Sequence, residues 1–210
     1  MYTPIPWSTA GVWKIEESEK ALLAHFTDTA KYETYISRFA NENRRLEWLA
    51  TRVLLKSMLG EEVDIEYDAD GAPGIAGSNI YVSLSHTRGY AAAAISRHGP
   101  TGIDIEYRSG RVLRIRSRFL HPDEEAFIDP LNEADHALVC WCAKEAMFKK
   151  NGKGGADFWN NFRLYPFPLK ERGLIEGFCT SDSGQGLIRL HYLVNKYFVM
   201  TCCLDSSVVA

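Results

Sequence analysis

The strongest constraint on the fold is a repetition. The segments Trp48-Leu49-Ala50-Thr51-Arg52-Val53-Leu54-Leu55-Lys56 and Trp141-Cys142-Ala143-Lys144-Glu145-Ala146-Met147-Phe148-Lys149 place Trp, Ala and Lys at the same offsets, 93 residues apart. In the first, Trp48, Leu49, Val53 and Leu55 fall near helical spacing, and the second has a helical pattern too. Three matches between helices are common by chance. Here each helix is also followed by strands that end in a hairpin rich in small residues. The repeat therefore predicts an α+β chain of two pseudo-symmetric halves, residues 1–100 and 101–210, joined near Gly99-Pro100. A ligand site is expected where they meet.

The elements follow in order. A first strand is expected at 12–15, helices at about 18–26 and 29–40, and the long helix from Glu42, ended by Gly60. Strands are read at 63–67 and 80–86, with a turn at 70–74 between them. The run Tyr90–Ile95 is alanine-rich, which favours helix on propensity. It is short and bounded by Gly89 and Gly99-Pro100, so a buried strand is the better reading. Residues 102–106 continue as a strand. A basic helix is expected over 111–120, another from Pro122, and a long one from about Glu133 to Lys150. Strands near 162–165, 174–179, 187–194 and 197–204 close the chain, the last two as a hairpin through Asn195-Lys196.

The chemistry concentrates in two places. Gly102-Ile103-Asp104-Ile105-Glu106 alternates apolar and acidic residues, so Asp104 and Glu106 share one face of a strand. Glu145 and Lys149 stand one helical turn apart. If strand and helix pack together, three carboxylates and a lysine converge, an oxygen-rich set suited to Mg2+. A D-x-E pair is ordinarily the solvent face of an edge strand. Here the flanking Gly102, Ile103 and Ile105 mark a partly buried strand, and buried acids need partners. Ser85 and His86, entering the turn at Thr87-Arg88-Gly89, carry hydroxyl and imidazole donors able to hold a phosphate. Arg45 and Arg52 lie two turns apart on the first long helix, where a solvated face is the bland alternative.

Other classes are disfavoured. A net charge of −3 offers no electrostatic reason to expect nucleic acid. The apolar runs fall far short of the roughly 20 residues that span a bilayer, so no membrane is expected. The first six residues lack the basic and apolar regions of a secretory signal. Five cysteines, four of them within apolar segments, read as reduced core residues of a cytoplasmic protein. No G-x-S-x-G, P-loop or G-x-G-x-x-G occurs.

Ser83-x-Ser85-His86, then Gly102-Ile103-Asp104-Ile105-Glu106, then Trp141-Cys142-Ala143-Lys144-Glu145-Ala146-x-x-Lys149, in that order, resembles the 4′-phosphopantetheinyl transferases of the surfactin-synthetase type. Arg45-x-Glu47-x-x-Ala50-x-Arg52, Arg118-Phe119-Leu120 with Glu124, and Gly152-Lys153-Gly154 extend the likeness. The resemblance implies two α+β halves with coenzyme A and Mg2+ between them. It implies an activity that moves the phosphopantetheine arm of coenzyme A to a serine of an apo acyl or peptidyl carrier protein, releasing adenosine 3′,5′-bisphosphate. Asp104, Glu106 and Glu145 would bind the metal, and Ser85 and His86 the 3′-phosphate side of the nucleotide. Arg45 and Arg52 would serve the coenzyme A phosphates or the packing of the halves, and Lys149 the pyrophosphate. Glu145, or Glu124 through water, would be the base. A monomer is implied, since one chain holds both halves. One position departs: the family has Gly-Lys-Pro where this chain has Gly71-Ala72-Pro73. That predicts weaker coenzyme A binding, or compensation by Lys56 or a nearby arginine. A non-catalytic coenzyme A binder and another Mg2+-dependent phosphate enzyme, such as a nuclease, are the alternatives.

Overall fold

Two five-stranded antiparallel sheets share one connectivity. In the first the strands lie in the order β1-β5-β4-β3-β2, in the second β6-β10-β9-β8-β7, so in each the first strand of the half pairs with its last. The first sheet comprises β1 (Ser8–Lys14), β2 (Ile65–Tyr67), β3 (Pro73–Ile75), β4 (Tyr81–Thr87) and β5 (Tyr90–Ser96). The second comprises β6 (Gly102–Tyr107), β7 (Phe162–Leu164), β8 (Arg172–Ser181), β9 (Gly184–Val194) and β10 (Phe198–Cys203). Between β1 and β2 run α1 (Glu19–Leu23), α2 (Thr29–Ile36) and α3 (Glu42–Leu59); between β6 and β7 run two 3₁₀ turns, α4 (Pro122–Glu125) and α5 (Glu133–Asn151). The computed structural model describes residues 8–151, 157–181 and 184–203. The α+β class and the paired topology expected from the helix repeat are both present, with α3 and α5 as its two copies. The Gly152-Lys153-Gly154 motif lies outside the described residues.

Local chemistry accounts for the long helices. Asn41 caps α3 by accepting the Arg44 N–H, and Gly60 ends it in the left-handed region at φ 81°, donating to the Lys56 carbonyl. α3 covers one face of the first sheet, where Leu55 and Leu59 meet Val82 and Ile95. α5 covers one face of the second, packing Ala143, Ala146 and Met147 against residues of β8–β10 such as Ile175, Leu190 and Val199. A Cβ on Gly102 would lie 1.9 Å from the Ala146 carbonyl oxygen, so only glycine lets β6 approach α5 this closely. The alanine run is strand β5, and Ala91–Ala94 are fully buried. Ala91 packs in the α3 cluster, while Ala92 and Ala94 meet Ile103, Ile105 and Cys202 of the second sheet. Close neighbours on both faces overrode its helix propensity.

Three sequence expectations change in detail. Strand β1 begins at Ser8, upstream of the expected 12–15. The turn read at 70–74 gives way at Pro73 to a three-residue strand, whose only β4 partner pair is Gly74 with Tyr81. A proline and a glycine in so short a segment hide its strand character. The basic stretch at 111–120 forms two 3₁₀ turns, Gly110–Arg114 and Arg116–Arg118, not one continuous helix.

The two sheets are joined by side chains. β6 is an edge strand, and its outward N–H groups at Ile103, Ile105 and Tyr107 need acceptors. Ser83 Oγ, Ser85 Oγ and Thr87 Oγ1 on one face of β4 supply them, at 3.1, 3.3 and 3.0 Å. The period of two on β4 matches the period of two on β6. Ser83→Ala would leave the buried Ile103 N–H without a partner, at a cost of about 1–3 kcal/mol. The expected result is a lower urea midpoint at unchanged slope, and an unmoved midpoint would show that this rung carries no stability.

Candidate active site

The seam places Asp104 beside α5. Ser85 Oγ donates to Asp104 Oδ1 at 2.9 Å, and Lys149 Nζ reaches the same oxygen at 2.8 Å. Lys149 also donates to Ser85 Oγ at 3.0 Å and to the Ile103 carbonyl at 3.1 Å. Asp104 is only 5% exposed, and among the described residues its second oxygen, Oδ2, is buried with no hydrogen-bond partner that meets ordinary geometry, although the buried Cys142 thiol interacts with this carboxylate. An orphaned carboxylate oxygen of this kind is costly unless a cation or donor completes it.

Glu106 and Glu145 share the field of Asp104. Burial, then the Asp104 charge, pushes the Glu106 carboxyl up to about 7, against a hydrogen bond from Trp141 and the charge of Lys149. Burial and the Asp104 charge likewise raise Glu145 to about 7, with Lys149 opposing and Glu106 adding to the rise. Strand alternation and the i, i+4 helix spacing thus bring the expected acids and lysine into one electrostatic cluster. Among the described residues no group of three His, Cys, Asp or Glu side chains is already drawn into a metal cage. Lys149 supplies the positive charge at Asp104. The donor set fits a hard divalent ion: carboxylate oxygens only, one of them orphaned.

Beside the acids opens a cavity of about 390 Å³, bordered by Arg44, Arg52, Tyr67, Ala72, His86 and Lys149, among others. Arg52 is 8% exposed; it donates to the Trp48 carbonyl at 3.2 Å, Thr51 Oγ1 at 2.8 Å and the Tyr67 hydroxyl at 2.5 Å. Its guanidinium carbon lies 3.8 Å from the Trp48 ring centre. Burial lowers the Arg52 pKa from its ordinary value. Glu47 Oε2 lies 3.1 Å from His86 Nδ1, and the Arg44 guanidinium contacts the same ring. Three arginine or lysine side chains and an imidazole around one cavity favour a polyanionic occupant. Ala72 borders it as expected, and the nearby cations are Arg44 and Arg52. Lys56 is engaged elsewhere, with the His25 carbonyl at 2.5 Å and Glu62 at 3.2 Å.

Residues 100–203, which hold all three acids and Lys149, match the 4′-phosphopantetheinyl transferase superfamily. This half of the chain belongs to that superfamily. The 4′-phosphopantetheinyl transferase AcpT of Salmonella typhi is 31% identical over 121 residues, covering 52% of this chain and 60% of that protein. AcpT of Salmonella typhimurium matches equally. The 4′-phosphopantetheinyl transferase gsp of Aneurinibacillus migulanus is 33% identical over 81 residues, 36% of this chain and 33% of that protein. The chain thus spans about three-fifths of the length of the Salmonella relatives.

Within this superfamily frame, two expected site residues lie elsewhere. Arg45 donates to Glu19 Oε2 at 2.6 Å and to the Phe39 carbonyl at 3.0 Å, tying α3 to α1 and to the loop after α2. Its neighbour Arg44 borders the cavity instead, a residue that spacing from Arg52 alone did not single out. Glu124 is 1% exposed and is fully engaged. Its Oε2 accepts from Lys144 Nζ at 2.6 Å and the His121 N–H at 2.8 Å, and its Oε1 accepts from the Leu164 N–H at 2.8 Å. Lys144 is itself buried and also donates to the Phe119 and Phe158 carbonyls. Burial lowers its pKa while Glu124 opposes the shift. Residues 144 and 145 leave α5 in different directions, so Glu124 is held away from the acids. The sequence signal was there in Lys144, a charge inside an apolar helix.

Two outcomes follow from these charges. Lys144→Met should cost about 3–5 kcal/mol, because it strands a buried carboxylate; a variant unfolding at the wild-type midpoint would remove the clamp. Glu106 and Glu145 have folded pKa values near 7 against 4.5 for the free side chain. Their protonated forms thus add stability that is fully present below about 4.5 and lost as pH rises through about 7. In chelator, melting temperature should fall over that window relative to a Glu106→Gln/Glu145→Gln variant, whereas parallel curves would contradict the shifts.

Proposed function

We propose that the protein transfers the 4′-phosphopantetheine arm of coenzyme A to a serine of an apo acyl or peptidyl carrier protein, with Mg2+, and releases adenosine 3′,5′-bisphosphate. The observation that carries this reading is the orphaned Asp104 Oδ2 beside Lys149, at the edge of a cavity bordered by Arg44, Arg52 and His86. The superfamily match and the transferase relatives support it. Arg44, Arg52 and His86 hold the nucleotide phosphates. The arginines take the place of the lysine absent at Ala72, and a second groove continues past Ala72 and Pro73 with room for more of the donor. Asp104, Glu106 and Glu145 hold the metal, which when bound supplies positive charge to the pyrophosphate.

The carrier serine oxygen forms a bond to the phosphorus bearing pantetheine, and the bond from that phosphorus to the bridging oxygen breaks. The serine proton passes to Glu145 as the general base. Lys149 neutralises Asp104 at rest and stands close enough to the cavity to balance the charge on the departing bisphosphate. Glu124 serves the framework through Lys144, which leaves Glu145 as the base of this reading. Five buried free thiols suit a reducing cytoplasm, and among the described residues no helix is long and apolar enough to cross a membrane. One chain brings both walls of the site, so a monomer suffices.

The test is incubation with coenzyme A, Mg2+ and a panel of apo carriers, read by intact mass of the carrier. A phosphopantetheine increment is expected with wild type and none with a folded Asp104→Ala variant. No increment on any carrier would leave the non-catalytic binder standing. Full activity in Asp104→Ala would remove the metal assignment.

A further inference from the structure

Thr201 is a hydroxyl where the packing calls for an apolar side chain. On β10 the alternate residues Val199 and Cys203 face α5 and join its apolar cluster, and Thr201 between them projects the same way. It is 0% exposed, and among the described residues its Oγ1 is buried with no hydrogen-bond partner of ordinary geometry. Burying an unpaired hydroxyl costs stability, and valine would fill the same space without that cost. The strand register shows what the hydroxyl faces. Thr201 stands directly opposite Asp104 across the β6–β10 ladder. Opposed side chains share one face of a sheet, with Cβ atoms about 4.5–5.5 Å apart. Asp104 carries the complementary orphan, the acceptor Oδ2, while its Oδ1 is taken by Ser85 and Lys149 on the cavity side. A buried donor without an acceptor and a buried acceptor without a donor thus sit on one rung of the sheet.

We infer that Thr201 is a positioning residue for Asp104, its hydroxyl proton given to Oδ2 directly or through one water. A carboxylate oxygen accepts at two positions, so one lone pair of Oδ2 remains for a divalent cation, and the bond from Thr201 sets its direction. The carboxylate is then held at both oxygens, Oδ1 from the cavity side and Oδ2 from within the second sheet. The Cys142 thiol of α5 also interacts with Asp104, but a thiol is a weak donor, and the Val199 carbonyl oxygen, 3.9 Å from its Sγ, competes for the one proton. Ser85 and Lys149 border the nucleotide cavity, whereas Thr201 does not. Its loss is therefore felt by the metal and not by the nucleotide. The inference rests on the proposal that Asp104, Glu106 and Glu145 hold Mg2+.

The experiment compares wild type, Thr201→Val and Thr201→Ser in Mg2+ affinity, measured by calorimetry without nucleotide, and in coenzyme A affinity, measured in chelator. Thr201→Val should weaken Mg2+ binding about tenfold, the low end of what is lost with a residue supporting a metal ligand. Its coenzyme A affinity should not change. Thr201→Ser, which keeps the hydroxyl, should retain most of the Mg2+ affinity. Urea unfolding in chelator supplies a second readout. Thr201→Val should lower the midpoint, because it strips a donor from a buried carboxylate, and should not lower it in an Asp104→Ala background. If Thr201→Val does not fold, Thr201→Cys, with a weaker donor in the same place, replaces it. Unchanged Mg2+ affinity, or a midpoint that moves equally in the two backgrounds, would overturn the inference, while carrier modification by wild type would still uphold the transferase. Wild type that binds no Mg2+ removes the metal assignment and this inference with it. If no carrier is modified while the Mg2+ loss and the Asp104-dependent midpoint are both seen, the transferase reading fails and the positioning role stands.

Discussion

The hydroxyl ladder between β4 and β6 is the constraint on which the rest depends. An edge strand exposes a row of unpaired N–H groups, and burying them unpaired would cost about 1–3 kcal/mol each. Here the second sheet lays its edge across the face of the first, and Ser83, Ser85 and Thr87 supply the missing acceptors. The joint is therefore specific in register as well as apolar: a slip of one residue would present carbonyls to hydroxyl oxygens and turn Asp104 away from α5. Because the joint and the acids share β6, the geometry of the site is inherited from the packing of the halves.

Charge in this molecule is arranged in two buried sets that look alike in sequence and differ in how completely they are paired. Lys144 and Glu124 neutralise each other inside the second core, with the other two Lys144 protons given to backbone carbonyls and both Glu124 oxygens accepting backbone N–H groups. Such a closed set fixes the loop around Phe119 to α5 and to β7. One residue on, Glu145 belongs to a set that does not close. Asp104, Glu106 and Glu145 carry more negative charge than Lys149 can balance, and one oxygen of Asp104 is left over. That surplus is what separates the second set from the first.

Much of this was legible in the sequence because it rests on periodicity. The two-residue period of Asp104 and Glu106 and the four-residue step from Glu145 to Lys149 name the cluster, and the 93-residue repeat names the two halves. What periodicity cannot read is which of two neighbouring side chains turns inward once helices cross. Arg44 and Arg45 are adjacent, and the difference between lining the cavity and tying α3 to α1 is set by where Glu19 and the Phe39 carbonyl fall. Glu124 likewise reads as an acid near a site until Lys144 is seen beneath it. Strand β3 was hidden because it is three residues long with a proline at its start.

The alanines of β5 have a further consequence. Ala92 and Ala94 are the thinnest side chains a sheet can place between itself and a neighbour, and they lie on the face that meets β6. They set the gap across which Ser83 and Ser85 must reach, and those bonds, at 3.1 and 3.3 Å, have little length to spare. The run works as a spacer gauge. The tolerance to which the acidic cluster is built is held by methyl groups that make no polar contact at all, so the residues most sensitive to enlargement lie in the plainest stretch of the chain.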